Sequence, residues 1–282
     1  MRIRHHLTFG FYLLISGFAW AQMILFWVHE ATGFNPEWGI LQYCLTILKE
    51  QTAIHQVVLV GLNILIAYSV LKLVGFAIQQ IKLGSHWRKH VNSRYNHVKT
   101  TQLRQQFNEI GIKMTVIDHE GIIAVTYGFF RPRIVLSSKV IDYFSDREIA
   151  AIVWHENFHC RNFDPLRSYF LQIMKTSLPF LPILEKLSHY IQVWMELLAD
   201  QYAIQKLNNA KDLACVLLKC TQQVQVVPVG SVGFADAAIN YRLQQLIDPK
   251  QRIKVPVMNS IPTMNSILML TLLTGVIVSG CS

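Results

Sequence analysis

Trp154-His155-Glu156-Asn157-Phe158-His159 spells H-E-x-x-H. On a helix, positions i and i+4 stand one turn apart on the same face. His155 and His159 can therefore direct two imidazole nitrogens at one zinc ion. Glu156 follows the first of them, where its carboxylate can reach an attacking water. Metal, water and base are the parts a metalloprotease needs. The flanking sequence predicts the helix. Ser145 and Glu148 form an S-x-x-E capping box. Ile149-Ala150-Ala151-Ile152-Val153 follows without glycine or proline. The short pattern also arises by chance, as a helix with two ordinary histidines, so a second one is required.

Glu196-Leu197-Leu198-Ala199-Asp200 reads E-x-x-A-D on another helix-like stretch. Zinc held by two histidines still needs a third protein ligand and one open position. Glu196 can be that ligand. Asp200, one turn further on, can accept the hydrogen bond that fixes a ligating histidine. Trp194, Met195, Leu197 and Leu198 surround Glu196, which argues against a merely solvated carboxylate.

Composition places this chemistry at a membrane. The 282 residues suffice for one sizeable domain plus spanning helices. Hydrophobic residues make up 52% and charged ones 15%, with a mean hydropathy of +0.30, too little charge for an ordinary soluble enzyme. The formal net charge of +9 is first a topology signal, because no Lys/Arg run interleaves with aromatics as in nucleic-acid binding. The five cysteines, Cys44, Cys160, Cys215, Cys220 and Cys281, include no C-x-x-C, so a thiolate zinc site is not expected. Val278-Ser279-Gly280-Cys281 imitates a lipoprotein box by chance. No internal repeat is visible, and with few spans a transporter is disfavoured.

In chain order, Leu7–Val28 is long enough to cross a bilayer and too long for a signal-peptide core. A polar connection over 29–53 follows, with Glu30, Glu37 and Glu50 against Lys49. Val57–Ile78 is the second span, with Asn63 set for a helix–helix hydrogen bond and Lys72 placed to snorkel. Lys82, Arg88, Lys89, Arg94, Lys99 and Arg104 then mark a cytoplasmic flank, on the side of Arg2 and Arg4, and reach anionic lipid heads. Residues 94–110 read as an amphipathic helix stopped by Gly111. Strands are expected at 112–118, 122–127 and 134–136, with Pro132 pointing to an edge. Asp164-Pro165 predicts an N-cap and first-turn proline. Leu166–Leu184, with its two prolines, is a poor span: a membrane-surface or re-entrant segment, or else buried core. Tyr202–Gln223 continues helical. Lys250, Arg252 and Lys254 precede a last apolar run, 264–278, short for a span.

Three further stretches are Gly128-Phe129-Phe130-Arg131-Pro132-Arg133-Ile134-Val135-Leu136-Ser137, Arg161-Asn162-Phe163-Asp164-Pro165-Leu166 and the whole Glu196 segment. With H-E-x-x-H they resemble the BlaR/MecR-type integral-membrane peptidases of bacteria, of gluzincin type, over about residues 85–250. The resemblance implies an α+β fold: membrane helices framing a mainly helical zinc peptidase domain with a small edge sheet. The expected division is 1–84, with spans at about 7–28 and 57–79, then a cytoplasmic peptidase domain, 85–258, then a C-terminal span, 259–282. One zinc ion is expected on His155, His159 and Glu196, with Glu156 as catalytic base and Asp164, Asp200 and Arg242 behind them.

In gluzincins an edge strand near the zinc helix pairs with extended peptide. The resemblance implies the same here, with Gly128, Phe129 and Arg131 at the substrate; a plain hairpin with solvated arginines is the alternative. Asn240-Tyr241-Arg242-Leu243 resembles the family's late arginine segment, where Arg242 pairs with Asp200, steadies an oxyanion or stays at the surface. Tyr127, His189 and Tyr202 are the other oxyanion candidates.

The expected activity is regulatory endoproteolysis from a multi-pass position in the bacterial cell membrane. It would end in loss of a cytoplasmic DNA-binding repressor or in self-cleavage. Expected partners are a peptide or protein substrate, membrane lipid and a second copy of the chain as a homodimer, with no direct nucleic-acid contact. No penicillin-binding sensor domain is expected, and the chain starts one span later than four-helix members, which argues against β-lactam sensing. Membrane-protein quality control is the rival enzyme role, and a non-catalytic receptor with structural zinc the rival of another class.

Overall fold

A computed structural model describes residues 2–32, 53–222, 235–247, 253, 255–256 and 260–279. The protein is mainly helical with one three-stranded sheet, and it divides into two compact units.

The first unit takes in residues 1–77, 171–188 and 256–282. Its long helices are α1 (Arg2–Thr32) and the first part of α2 (Ala53–Ser93). Within them, His6–Val28 and Val60–Ser93 are long and apolar enough to cross a membrane. Leu7 and Leu14 of α1, and Ile64 and Leu71 of α2, stand exposed on the outside. Trp27 Nε1 donates to Asn63 Oδ1 at 3.0 Å, so Asn63 does link two helices. The last apolar run forms α10 (Ser260–Ser279) beside α1. The polar connection lies almost wholly outside the described residues, as do Cys44, Lys250, Arg252, Lys254 and Gly280-Cys281.

Two helices differ from the sequence reading for local reasons. α2 runs fifteen residues past Ile78, because no proline intervenes and the single Gly84 is tolerated inside a long helix; Lys82, Arg88 and Lys89 ride on the extension. The 166–184 segment is α6 (Asp164–Ser177), a break, and the start of α7 (Pro182–Leu207). Pro182 takes the first position of α7, where its missing N–H is harmless. Leu171, Leu178, Leu181 and Leu184 are fully buried within the protein.

The second unit, residues 78–170 and 189–255, holds the sheet. Its strands are β1 (Met114–Ile117), β2 (Ala124–Tyr127) and β3 (Arg133–Ser137), in the order β1-β3-β2. β1 runs parallel to β3, and β2 antiparallel with Thr126 opposite Ile134. Pro132 therefore introduces the central strand rather than an edge. It stands just before the strand's first residue, where a proline costs no ladder bond. The outer side of β1 is covered: Asn96 N donates to Val116 O at 2.9 Å and Asp118 N to Arg94 O at 2.7 Å. β2 is the other edge, and all four of its residues are only half-buried.

Alternation along the strands sorts the core into two faces. Met114, Val116, Ile134, Leu136 and Ala124 pack on Ile149, Ile152 and Val153 of α5 (Asp146–Arg161). Ile117, Val135, Val125 and Tyr127 pack on Trp87 and Val91 of α2. The helix expected over 94–110 is α3 (His97–Gln106), capped by Asn96 accepting from Lys99 N, then a 3-10 turn ending at left-handed Gly111, φ 68°. The short α4 (Ser138–Tyr143) follows β3. The stretch 202–223 is broken at Asn208, φ 52°, into the end of α7 and α8 (Lys211–Gln222), with α9 (Ala235–Ile247) packed against α8.

Candidate metal centre

α5 carries the histidines. Ser145 accepts from Glu148 N, and Glu148 accepts from Ser145 N at 2.8 Å, so both halves of the capping box are made. Such a cap is worth about 1 kcal/mol. His155, Glu156 and His159 are all buried.

α7 brings the third group. His155 Nε2 lies 3.1 Å from His159 Nε2. Glu196 Oε2 is 3.4 Å from His155 Nε2, and Oε1 is 3.5 Å from His159 Nε2. Ligands held about 2.0–2.1 Å from a tetrahedral zinc stand roughly 3.3 Å from one another. The three side chains are thus spaced to share one ion, and they form the cluster able to hold a metal among the described residues. Glu196 keeps 31% of its side chain open, so the centre is reachable from one side.

Each histidine has a carboxylate behind its other nitrogen. His159 Nδ1 is hydrogen-bonded to Asp164 Oδ2 at 2.8 Å. His155 Nδ1 lies 2.9 Å from Asp200 Oδ1, a charge contact rather than an aligned hydrogen bond. This pattern orients ligating imidazoles and raises their basicity. Asp164 is not the N-cap its sequence suggests. It is the first residue of α6, and the carbonyl of Phe163 accepts the opening N–H groups of Leu166 and Arg167. Phe163 itself is left-handed, φ 53°, which turns the chain sharply and brings Asp164 back onto His159.

Arg242 on α9 closes the cluster. Its Nε and Nη2 donate to the two Asp200 oxygens, each at 2.8 Å. Nη1 lies 3.1 Å from Glu196 Oε2. Burial disfavours the charged form of Glu196, yet His159, His155 and Arg242 hold its carboxyl far below the usual range. Burial also opposes charge on His159, but Glu196, Asp164 and Glu156 outweigh it and push the metal-free ring up to about 9. His155 shifts upward too, against burial and Arg242, through Asp200 and Glu196.

Of the oxyanion candidates, Tyr127 donates to Gly84 O at 3.0 Å, and Tyr202 is engaged by Asn157 and Arg161. His189 is half-buried on α7. Gly128, Phe129 and Arg131 fall in the β2–β3 turn. Gly128 has φ 108°, and a Cβ there would stand 2.9 Å from Arg131 O, so only glycine suits this turn. Phe129 packs against Tyr169 of α6, ring centroids 5.1 Å apart.

Thr126, which no motif marks, touches the site directly. Its hydroxyl lies 2.8 Å from Glu156 Oε2. Strand alternation sets Thr126 on the α5 side with Ala124, a placement readable only once the pairing is known.

A family model described as BlaR1 peptidase M56 matches residues 42–246. The chain belongs to this peptidase family. The regulatory protein BlaR1 of Bacillus licheniformis is 34% identical over 99 residues, which cover 34% of this chain and 16% of that protein. The chain carries a His/His/Glu cluster able to hold a metal ion, and its two membrane-length apolar helices fit a membrane-anchored member of the family.

Proposed function

We infer that the protein is a zinc endopeptidase that cuts a regulatory protein at the inner face of the bacterial membrane. One observation carries this: His155, His159 and Glu196 converge with ligand spacing, while Glu156 sits buried beside them next to an open strand edge. Zinc, when bound, supplies Lewis-acid polarisation of the scissile carbonyl and makes water a nucleophile near neutral pH. Glu156 takes the proton of that water and hands it to the leaving amine. Asp164 and Asp200 keep the two rings aimed, and Arg242 offsets the charge of Asp200 and Glu196. The outer edge of β2, unpaired among the described residues, takes an extended peptide backbone, with Gly128, Phe129 and Arg131 at the end of that edge.

The chain is read as multi-pass, with spans at about 7–28, 57–79 and 259–282 around a cytoplasmic domain, 85–258. Its substrate is a cytoplasmic DNA-binding repressor or the chain itself. A buried Glu156 beside the ligands supports this over a structural zinc site, which has no use for it. Comparative proteomics of cells carrying the wild type or Glu156→Gln tests the reading. A single regulatory fragment present only with the wild type is expected. Fragments of many misfolded membrane proteins would make it a quality-control enzyme, and identical proteomes would refute proteolysis.

A further inference from the structure

The Thr126 hydroxyl has more than one acceptor within reach. Glu156 Oε2 lies at 2.8 Å and the carbonyl oxygen of the same Glu156 at 2.9 Å. A hydroxyl has one proton to give and lone pairs to receive another. The Glu156 carbonyl is already served by the α5 ladder, so the carboxylate is the acceptor with most to gain. The contact crosses thirty residues of sequence, from an edge strand to the middle of a helix. We propose that Thr126 is a positioning residue for Glu156: its hydroxyl pins Oε2 and leaves Oε1 free for the attacking water.

The inference rests on the peptidase reading above and adds a device to it. With Glu156 ionised, the hydroxyl donates to Oε2. Once Glu156 has taken the proton from water on Oε1, Oε2 becomes the carbonyl oxygen of the acid and still accepts from the same hydroxyl. The side chain is thus held in one rotamer both when it accepts the proton and when it returns it to the amine. Thr126 also lies on the strand whose outer edge pairs with no other strand among the described residues. Peptide that pairs with β2 therefore pairs with the residue that aims the base, and backbone docking and base alignment share one strand.

The test uses the full chain in detergent micelles, a proteome-derived peptide library, and cleavage read by mass spectrometry. Kinetics then follow on one peptide so identified. Thr126→Val keeps the shape and removes the hydroxyl; Thr126→Ser keeps the hydroxyl and removes the methyl. A general base contributes about 10²–10⁴-fold, and losing its aim forfeits part of that, about 10–100-fold. The expected result is a kcat fall of that size in the valine variant, with KM, zinc content and Tm unchanged, and recovery in the serine variant. A valine variant with wild-type kcat overturns the inference while leaving the peptidase reading intact. So does a serine variant as slow as valine, since it would show that the methyl packing matters and the hydroxyl does not. A wild type that cleaves no peptide refutes the peptidase reading and this inference with it.

Discussion

Arg242→Met is the substitution whose consequences the structure defines most sharply. Arg242 makes two 2.8 Å hydrogen bonds to Asp200, whose side chain is completely buried, and a 3.1 Å contact to Glu196. Methionine keeps the stem and deletes the charge. Asp200 is then a buried anion whose remaining partner is His155, while Glu196, partly open, recovers some solvation. Removing one member of a buried ion pair costs about 3–5 kcal/mol. For a domain of 150–250 residues each kcal/mol moves Tm by about 2–4 °C, so the metal-free variant should melt roughly 6–20 °C below wild type. Thermal unfolding after chelation, followed by circular dichroism in detergent, measures this. Asp200→Asn in the Arg242→Met background removes the stranded charge and should recover part of the loss, giving a coupling energy by double-mutant cycle. A metal-free Arg242→Met protein melting within about 2 °C of wild type would refute the reasoning, because the ion pair would then carry no net energy.

Glu156→Gln should bind zinc as wild type does and lose about 100-fold or more in turnover, checked by metal analysis beside peptide cleavage. A zinc ion entering the cluster must displace the proton that metal-free His159 holds up to about pH 9. Apparent zinc affinity, by competition with a chromophoric chelator, should therefore fall steadily as pH drops from there to neutrality; a flat profile would contradict this. Glu148 is held below its ordinary 4.5: burial works against its charge, but Lys219 and Ser145 prevail. Its folded value lies under its unfolded one, so its contribution is complete above about pH 4.5 and disappears as pH falls through the folded value. Glu148→Gln retains an N3 cap acceptor and should flatten the acid limb of a Tm-against-pH curve, leaving Tm near neutrality lower than in wild type.

What the sequence discloses and what it hides divide along range. α5 is legible because its cap, its apolar run and its two histidines are all local. The E-x-x-A-D stretch is legible for the same reason: a spacing of four sets Glu196 and Asp200 on one side of α7, one towards the Nε2 atoms of the two histidines and one behind His155. The strand order is not local. Pro132 marks a strand entrance, and only the pairing of β3 with both neighbours shows which edge is left open. Thr126 is an ordinary strand residue until β2 is laid against α5. Asp164 before proline reads as a cap, and its real direction depends on the left-handed Phe163 turning it back. Arg242 has three sequence readings, and its bonds to the buried Asp200 depend on α9 lying against α7, which no local pattern announces. α2 outlasts its apolar stretch because hydropathy reports what surrounds a helix, not where the helix stops.

Asp164 has two attachments at once. It is the residue on which α6 begins, and its carboxylate steers the ring of His159. Fraying of the first turn of α6 must release that ring, and a ring clamped by an ion must in turn hold the turn shut. The backbone amides at the start of α6 consequently keep a record of occupancy: their deuterium uptake slows when the centre is filled, whether or not any substrate is near.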